Sequence, residues 1–396
     1  MLFDPPSHEP LTERPWDAGR AHAAIAAIAA DAEGAFDGDE LWPAHPADLV
    51  DGPLPEVASL YLGASGVIWA LDRLARVGAV DLRRDWAPVA VRLAERYPSQ
   101  PDFQDIVDGP VPSLLMGDAG ILLVAHTLAP AAWQEERLLA AVRANVANPF
   151  LELMWGSPGT MIAARVLFER TGAEQWREAW EDSADWLWSQ WRDDLWQQDL
   201  YGKPTRCLGP AHGFAGNVLA LAGGGLLEPA RRAELEQRTL SVLVKYARRD
   251  GALCQWPPAD QPPSKPQPIR TQWCHGAPGM VASLASLAPA DEQLTELLVA
   301  GGELTWQAGP LKKGAGLCHG TAGNGYAFLK LFERTGDELW LGRARGFAMH
   351  AIEQVEQARA EHGRGRHSLW TGDPGAALYV YDCLSASTAF PTLDYF

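Results

Sequence analysis

The pattern Gly-x-x-Gly occurs seven times along this 396-residue chain, at Gly63-Ala-Ser-Gly66, Gly117-Asp-Ala-Gly120, Gly156-Ser-Pro-Gly159, Gly213-Phe-Ala-Gly216, Gly276-Ala-Pro-Gly279, Gly320-Thr-Ala-Gly323 and Gly372-Asp-Pro-Gly375. One such pattern carries no information. Seven copies, with first glycines 39 to 63 residues apart and most followed by an apolar run, mark an internal repeat. Each unit is long enough for a pair of helices and their loops.

Helical periodicity supplies the pairs. Amphipathic helices carrying the charges are predicted before the loops, over 16–32, 83–96, 132–147, 173–192, 229–249, 291–307 and 338–360. After the loops come nearly all-apolar runs such as Ile121-Leu-Leu-Val-Ala125. Polar-faced helices alternating with apolar ones predict an outer layer and a buried inner layer. The expected fold is therefore all-α, a closed α/α toroid of seven outer and seven inner helices. Glycine suits loops that turn sharply into a crowded inner helix, and Pro158, Pro278 and Pro374 suit a first helical turn, where no amide donor is needed. All inner helices then begin at one end, where their free amides converge on a site that favours a thiolate or an enolate.

The repeat argues for one unit, with residues 1–56 as an N-terminal segment holding the first outer helix and 57–396 as the toroid. Residues 255–270 hold six prolines and are expected to form a rigid extended loop framing a cleft. The proline-rich stretch around Trp42 to Pro46 is expected to close the ring against the C-terminal tail.

A net charge of −17 without a Lys/Arg cluster speaks against nucleic acid and against membrane surfaces as partners. The N-terminus is acidic and proline-rich, unlike a signal peptide, and no apolar run reaches the roughly 18 residues of a spanning helix. Five cysteines in a chain of this size point to a reducing, cytoplasmic setting with thiols held for metal or chemistry. A closed toroid needs no partner to bury its core, which is compatible with a monomer but does not fix the oligomeric state.

Two of the glycine loops share the longer pattern Cys-His-Gly-x-x-Gly, at Cys274 and at Cys318. Cys274, Cys318 and His319 are the ligand set of a catalytic zinc site that keeps its fourth position open, one ion per chain. Zinc deprotonates a bound thiol, whose free pKa is about 8.5. A fourth protein ligand would close the site, so His275 is assigned to the surroundings of the metal. Cys207 and Cys254 are read as core or rim residues. Arg364 and Arg366, in a basic loop before the last repeat, are candidates for holding a substrate carboxylate.

The segments QWCHGAPGM, GLCHGTAGNGYAFL and GPAHGFAGN, with the sevenfold glycine pattern, resemble the lanthionine synthetase C-like (LanC-like) family from about residue 57 to the end. The resemblance implies an α/α toroid and zinc-dependent thioether chemistry. A thiol, from a peptide cysteine or from glutathione, adds to a dehydroalanine or dehydrobutyrine of a peptide substrate. It also implies roles for single residues: Cys274, Cys318 and His319 as zinc ligands, His212 as acid/base, and Arg270 beside the reacting centre. Glu152 falls where members carry a functional carboxylate, and Lys313 where the glutathione-binding branch has a lysine. On chemical grounds, Arg270 can stabilise the enolate that follows thiol attack, and His212 can protonate it. Two other classes compete: a zinc-containing binding scaffold without turnover, and a carbohydrate enzyme on the same fold. No carboxylate pair recurs at the glycine loops, which disfavours the last.

Overall fold

The structure is a computed structural model that describes residues 1–396 except 39–40, 49–56, 105–108, 201 and 262–266. Fourteen α-helices among the described residues alternate between two layers. The outer layer holds α1 (Ala18–Gly34), α3 (Ala87–Arg96), α5 (Ala132–Asn145), α7 (Glu174–Ser189), α9 (Pro229–Tyr246), α11 (Glu292–Ala308) and α13 (Glu338–His362). The inner layer holds α2 (Ala64–Arg76), α4 (Asp118–Leu128), α6 (Ser157–Thr171), α8 (Phe214–Ala222), α10 (Ala277–Leu284), α12 (Thr321–Thr335) and α14 (Asp373–Ser385). Each inner helix packs on the next, and α14 returns to α2, so the ring is closed. The expected toroid of seven and seven is what forms.

The glycines do two jobs. The first of each pair is the N-cap of an inner helix, at Gly63, Gly117, Gly156, Gly213, Gly276, Gly320 and Gly372. The second sits in the first turn against the carbonyl of the residue six positions earlier. A Cβ at Gly66, Gly120, Gly159, Gly216, Gly279, Gly323 or Gly375 would collide with the carbonyl oxygen of Leu60, Leu114, Leu153, Pro210, Trp273, Leu317 or Leu369 respectively. The collision is with backbone, which cannot rotate away. Gly323→Ala is therefore expected to lower stability by about 1–3 kcal/mol, read as a lower urea midpoint.

Helix ends follow local chemistry. Asp17, Asp291 and Asp337 cap outer helices by accepting backbone N–H bonds, and left-handed Gly172, Gly336 and Gly363 end α6, α12 and α13. Helix α9 stops at Tyr246, short of the expected 249. Residues Arg248–Asp250 (β3) instead pair antiparallel with Leu253–Gln255 (β4). A similar hairpin joins Gln198–Leu200 (β1) to Lys203–Thr205 (β2). Of the proline-rich stretch 255–270, residues 262–266 lie outside the described residues, and the expected boundary at residue 56 falls at the edge of the undescribed 49–56.

Among the described residues, the stretch 42–46, expected to close against the C-terminal tail, is bonded instead to α1 and to the loop before α14. Trp42 donates its indole N–H to Ala32 O (2.8 Å), Arg364 donates to Ala44 O (2.6 Å), and Asp48 pairs with Arg366. Charge pairing thus draws this segment to the loop before α14, at the end where the inner helices begin. The tail enters the ring from the other side. Phe390 fills the centre against Trp273, Trp370 and Tyr326, with ring centroids 5.4, 5.6 and 4.5 Å away. Farther along, Tyr395 and Phe396 pack on Trp69, and Asp394 meets Lys330 at 2.7 Å. No helix among the described residues is long and apolar enough to cross a membrane.

Beside that plug, Asp382 accepts the Tyr326 hydroxyl at 2.5 Å, and burial pushes its pKa from 3.8 up to about 7. A carboxyl raised on folding contributes stability that is complete below about pH 4 and lost as pH rises through 7. Between pH 5 and 8 the unfolding free energy is expected to fall, and Asp382→Asn is expected to remove a few kcal/mol of that fall. Urea titrations of the two proteins across that range give the comparison.

Candidate metal centre

The repeat places the site. Two residues before the first glycine, the seven loops carry Tyr61, Leu115, Met154, Ala211, Cys274, Cys318 and Trp370; one residue before it, they carry Leu62, Met116, Trp155, His212, His275, His319 and Thr371. The candidate cysteines and histidines therefore occupy two equivalent positions in neighbouring loops. Backbone bonds tie those loops together at the same level. Cys274 N donates to Cys318 O (3.1 Å), Cys318 N to Trp370 O (2.8 Å), Trp370 N to Tyr61 O (3.2 Å) and Tyr61 N to Leu115 O (2.9 Å). This ladder fixes the spacing of the two thiols without using their side chains.

The sulfurs of Cys274 and Cys318 and a ring nitrogen of His319 all lie within 4.8 Å of one another. Both cysteines are buried, 6% and 4% exposed, and His319 is partly open. Two thiols and an imidazole at this separation fit a tetrahedral zinc ion with one position left open. His275 is outside the cluster. It sits in a tight loop closed by reciprocal backbone bonds with Gln272, and burial lowers its pKa, so its imidazole is neutral. Cys207 and Cys254 are also apart from it, with thiol pKa values raised by burial, that of Cys254 to about 11.

The thiols are not equivalent. A hydrogen bond from the Cys318 thiol, stronger in its effect than the opposing burial, holds Cys274 well below the usual thiol range, while Cys318 itself is raised. The Gln272 side-chain amide donates to Cys274 Sγ at 2.9 Å. The Tyr61 hydroxyl lies beside Cys318, and burial lifts the phenol well above its ordinary pKa, so it stays protonated. Neither Gln272 nor Tyr61 was marked by the sequence reading. Aligning the seven loops would have placed Tyr61 in the cysteine position; for Gln272 the sequence holds no signal.

Beside the cluster, Glu152 is fully buried and accepts three bonds: Met154 N (3.0 Å), Trp155 N (2.7 Å) and His212 Nδ1 (2.9 Å). The carboxylate orients the imidazole and leaves Nε2 as its working edge, with the His212 side chain 25% exposed. Burial pulls the His212 pKa down, but the Glu152 hydrogen bond and charge outweigh it, so the net shift is upward. Arg270 is exposed and close enough to act electrostatically on His275, as is Lys313. No hydrogen bond or ion pair holds either cation among the described residues. A cavity of about 250 Å³ runs between the loop before Cys318 and α13, lined by Lys312, Lys313, Gln354, Arg366 and Thr371 among others. Arg366 is engaged there: its guanidinium grips both Asp48 oxygens, one at 3.0 Å. It is partly covered by the N-terminal segment and so is not free to hold a substrate carboxylate while that pair is made.

Residues 55–395 match the family described as "Lanthionine synthetase C-like protein", nearly the whole of the chain. The chain belongs to that family. Among LanC-like relatives, it is 31% identical over 195 residues to "LanC-like protein GCL1" of Arabidopsis thaliana, covering 47% of this chain and 43% of the relative. It is 32% identical over 213 residues to "Glutathione S-transferase LANCL1" of Danio rerio, covering 50% and 47%. The chain thus spans about half the length of the curated relatives it matches. The solved structure of "Nisin cyclase" superposes with a TM-score of 0.57 at 16% identity, over 83% of this chain and 93% of that one. That likeness shows a shared LanC-like toroid.

Proposed function

We propose that this LanC-like protein is a zinc-dependent enzyme that adds a thiol, from a peptide cysteine or from glutathione, to a dehydroalanine or dehydrobutyrine residue. The observation that carries the reading is the convergence of Cys274, Cys318 and His319 beside the buried Glu152–His212 pair. One relative is named a glutathione S-transferase and one solved structure of the same fold a nisin cyclase, which supports both kinds of thiol as candidates.

Zinc held by Cys274, Cys318 and His319 would bind the substrate thiol in its open position as a thiolate at neutral pH. Gln272 donates to the Cys274 sulfur and so steadies a thiolate there, and the protonated Tyr61 hydroxyl lies beside Cys318. His212, held by Glu152, takes the proton that leaves the thiol. As the sulfur bonds to the β-carbon, the double bond's electrons pass to the α-carbon and carbonyl, forming an enolate. Arg270 offers positive charge to that enolate. His212 then returns the proton to the α-carbon, so the addition is complete with no co-reactant. Lys313 presents a charge for a substrate carboxylate in the cavity, whose lining Arg366 shares. A non-catalytic scaffold would have no use for the Glu152–His212 pair.

The direct test incubates the zinc-loaded protein with a dehydroalanine peptide and glutathione, and in parallel with a dehydrated peptide carrying its own cysteine. A glutathione adduct or a ring-closed product, absent with Cys318→Ala, is the expected outcome. No product from either substrate at full zinc loading would reject thiol addition. The pH profile adds a second check. Taking the thiol proton needs the neutral imidazole, so the rate is expected to fall as pH drops through the raised His212 pKa. Glu152→Gln removes the bond and charge that raise it, and is expected to move that acid limb to lower pH.

A further inference from the structure

The seven units differ just past the second glycine. In five of them the next residue is Val67, Ile121, Thr160, Met280 or Ala376, and in two it is asparagine, Asn217 of α8 and Asn324 of α12. Both asparagines are fully buried, and each donates from Nδ2 to a backbone carbonyl in the loop of the preceding unit. Asn217 bonds to Leu151 O and Asn324 to Thr271 O, both at 2.9 Å. The two acceptors are themselves equivalent, five residues before the first glycine of their units, Gly156 and Gly276. Thr160, the other polar residue at this position, donates instead to Ser157 O of its own helix (3.1 Å).

The loops joined in this way are the two pairs that must meet to build the site. One pair brings Glu152 to His212, and the other brings Cys274 to Cys318 and His319. The carbonyl of Leu151 belongs to the peptide plane that leads into Glu152. Leu151 itself is left-handed (φ 45°), an unfavourable conformation for a residue with a Cβ, so the plane needs holding. Gln198 Nε2 adds a longer bond to the same oxygen (3.3 Å). Among the described residues no backbone bond joins Met154 to Ala211 in the way that Cys274 N joins Cys318 O, so side-chain bonds carry the register of this pair. The carbonyl of Thr271 leads into Gln272, which opens the turn carrying Cys274 and bonds to its sulfur. In each asparagine Oδ1 is buried without a hydrogen-bond partner. That cost offsets what the Nδ2 bond contributes to stability, and leaves the direction of the bond as its use.

We propose that Asn217 and Asn324 are positioning residues, each setting one pair of site residues in register. Asn217 holds Glu152 against His212, and Asn324 holds Cys274 against Cys318 and His319, roles that rest on reading those side chains as an acid/base pair and a zinc centre.

Asn217→Leu and Asn324→Leu, each close to its parent in size, test this with a separate readout for each pair. Zinc affinity is measured by chelator competition. The Glu152–His212 bond is followed in the zinc-loaded protein by the downfield proton resonance of His212 Nδ1–H, assigned by its loss in His212→Ala. Asn324→Leu is expected to bind zinc roughly 10–100-fold more weakly and to keep the His212 resonance. Asn217→Leu is expected to keep the wild-type zinc affinity, to lose that resonance, and to lower kcat by roughly 10–100-fold with KM little changed. The alanine variants, which only remove atoms, replace a leucine variant that does not fold. Zinc affinity and the resonance need no turnover, so a wild type that adds no thiol rejects the proposed activity while these two readouts still decide the roles of the asparagines. Failure of either variant to disturb its own pair, or equal disturbance of both pairs by one variant, would overturn the proposal.

Discussion

Cys318→Ala is expected to take bound zinc from about one ion per chain to almost none, and thioether formation with it. Cys318 holds the centre in two ways. Its sulfur is one of three ligands, and its thiol is the group that draws the Cys274 pKa down. Removing it leaves one thiol and one imidazole, too few to hold a catalytic zinc. The fold itself should survive, because the bond from Cys318 N to Trp370 O and that from Cys274 N to Cys318 O are made by backbone atoms. Loss of metal by elemental analysis, with helical circular dichroism retained, separates loss of the site from loss of the protein. Dialysis of the wild type against a strong chelator should give the same inactive, folded state, and returning zinc should restore turnover.

The second large effect is the converse. His212→Ala should keep its zinc and lose turnover by roughly 10²–10⁴, the usual contribution of a positioned acid/base. His212 is not a member of the sulfur and imidazole cluster, so metal content should be unchanged. Its partner Glu152 is the vulnerable point: the carboxylate is fully buried and would keep only its two backbone donors, Met154 N and Trp155 N. Some loss of stability is therefore expected as well. His212→Gln, which can still meet Glu152, should recover stability without recovering rate. If rate follows stability across the two variants, His212 is structural.

Much of this was legible in the chain because the repeat is written in glycine. Gly-x-x-Gly is readable wherever a backbone carbonyl stands where a Cβ would be, as at Gly323 over Leu317, and that contact recurs in every unit. The alternation of polar-faced and apolar helices marked the two layers for a related reason: α4 and α12 are buried on most sides, so most of their side chains are apolar. The metal candidates were legible as Cys-His-Gly in two loops. What the sequence hid were pairings between distant segments. Nothing near Glu152 says that it will turn towards His212 rather than only cap its own loop. Nothing near Arg366 says that Asp48 will occupy it, because the encounter depends on the N-terminal segment folding over the mouth. The tail's route was hidden likewise, since Phe390 fits the centre only once Trp273 and Trp370 have been brought within 4.8 Å of each other.

The central claim is that Cys274, Cys318 and His319 hold a metal whose open position takes a thiol. Replacing zinc with cobalt(II) and titrating with glutathione or a cysteine peptide tests it most directly, because each thiolate bound to cobalt adds sulfur-to-metal charge-transfer absorption. The expected result is a tetrahedral spectrum with two thiolates that gains absorption and saturates as the third arrives, and that is absent in Cys318→Ala. A cobalt spectrum unchanged by saturating thiol would contradict the claim, since the fourth position would then be closed to the nucleophile.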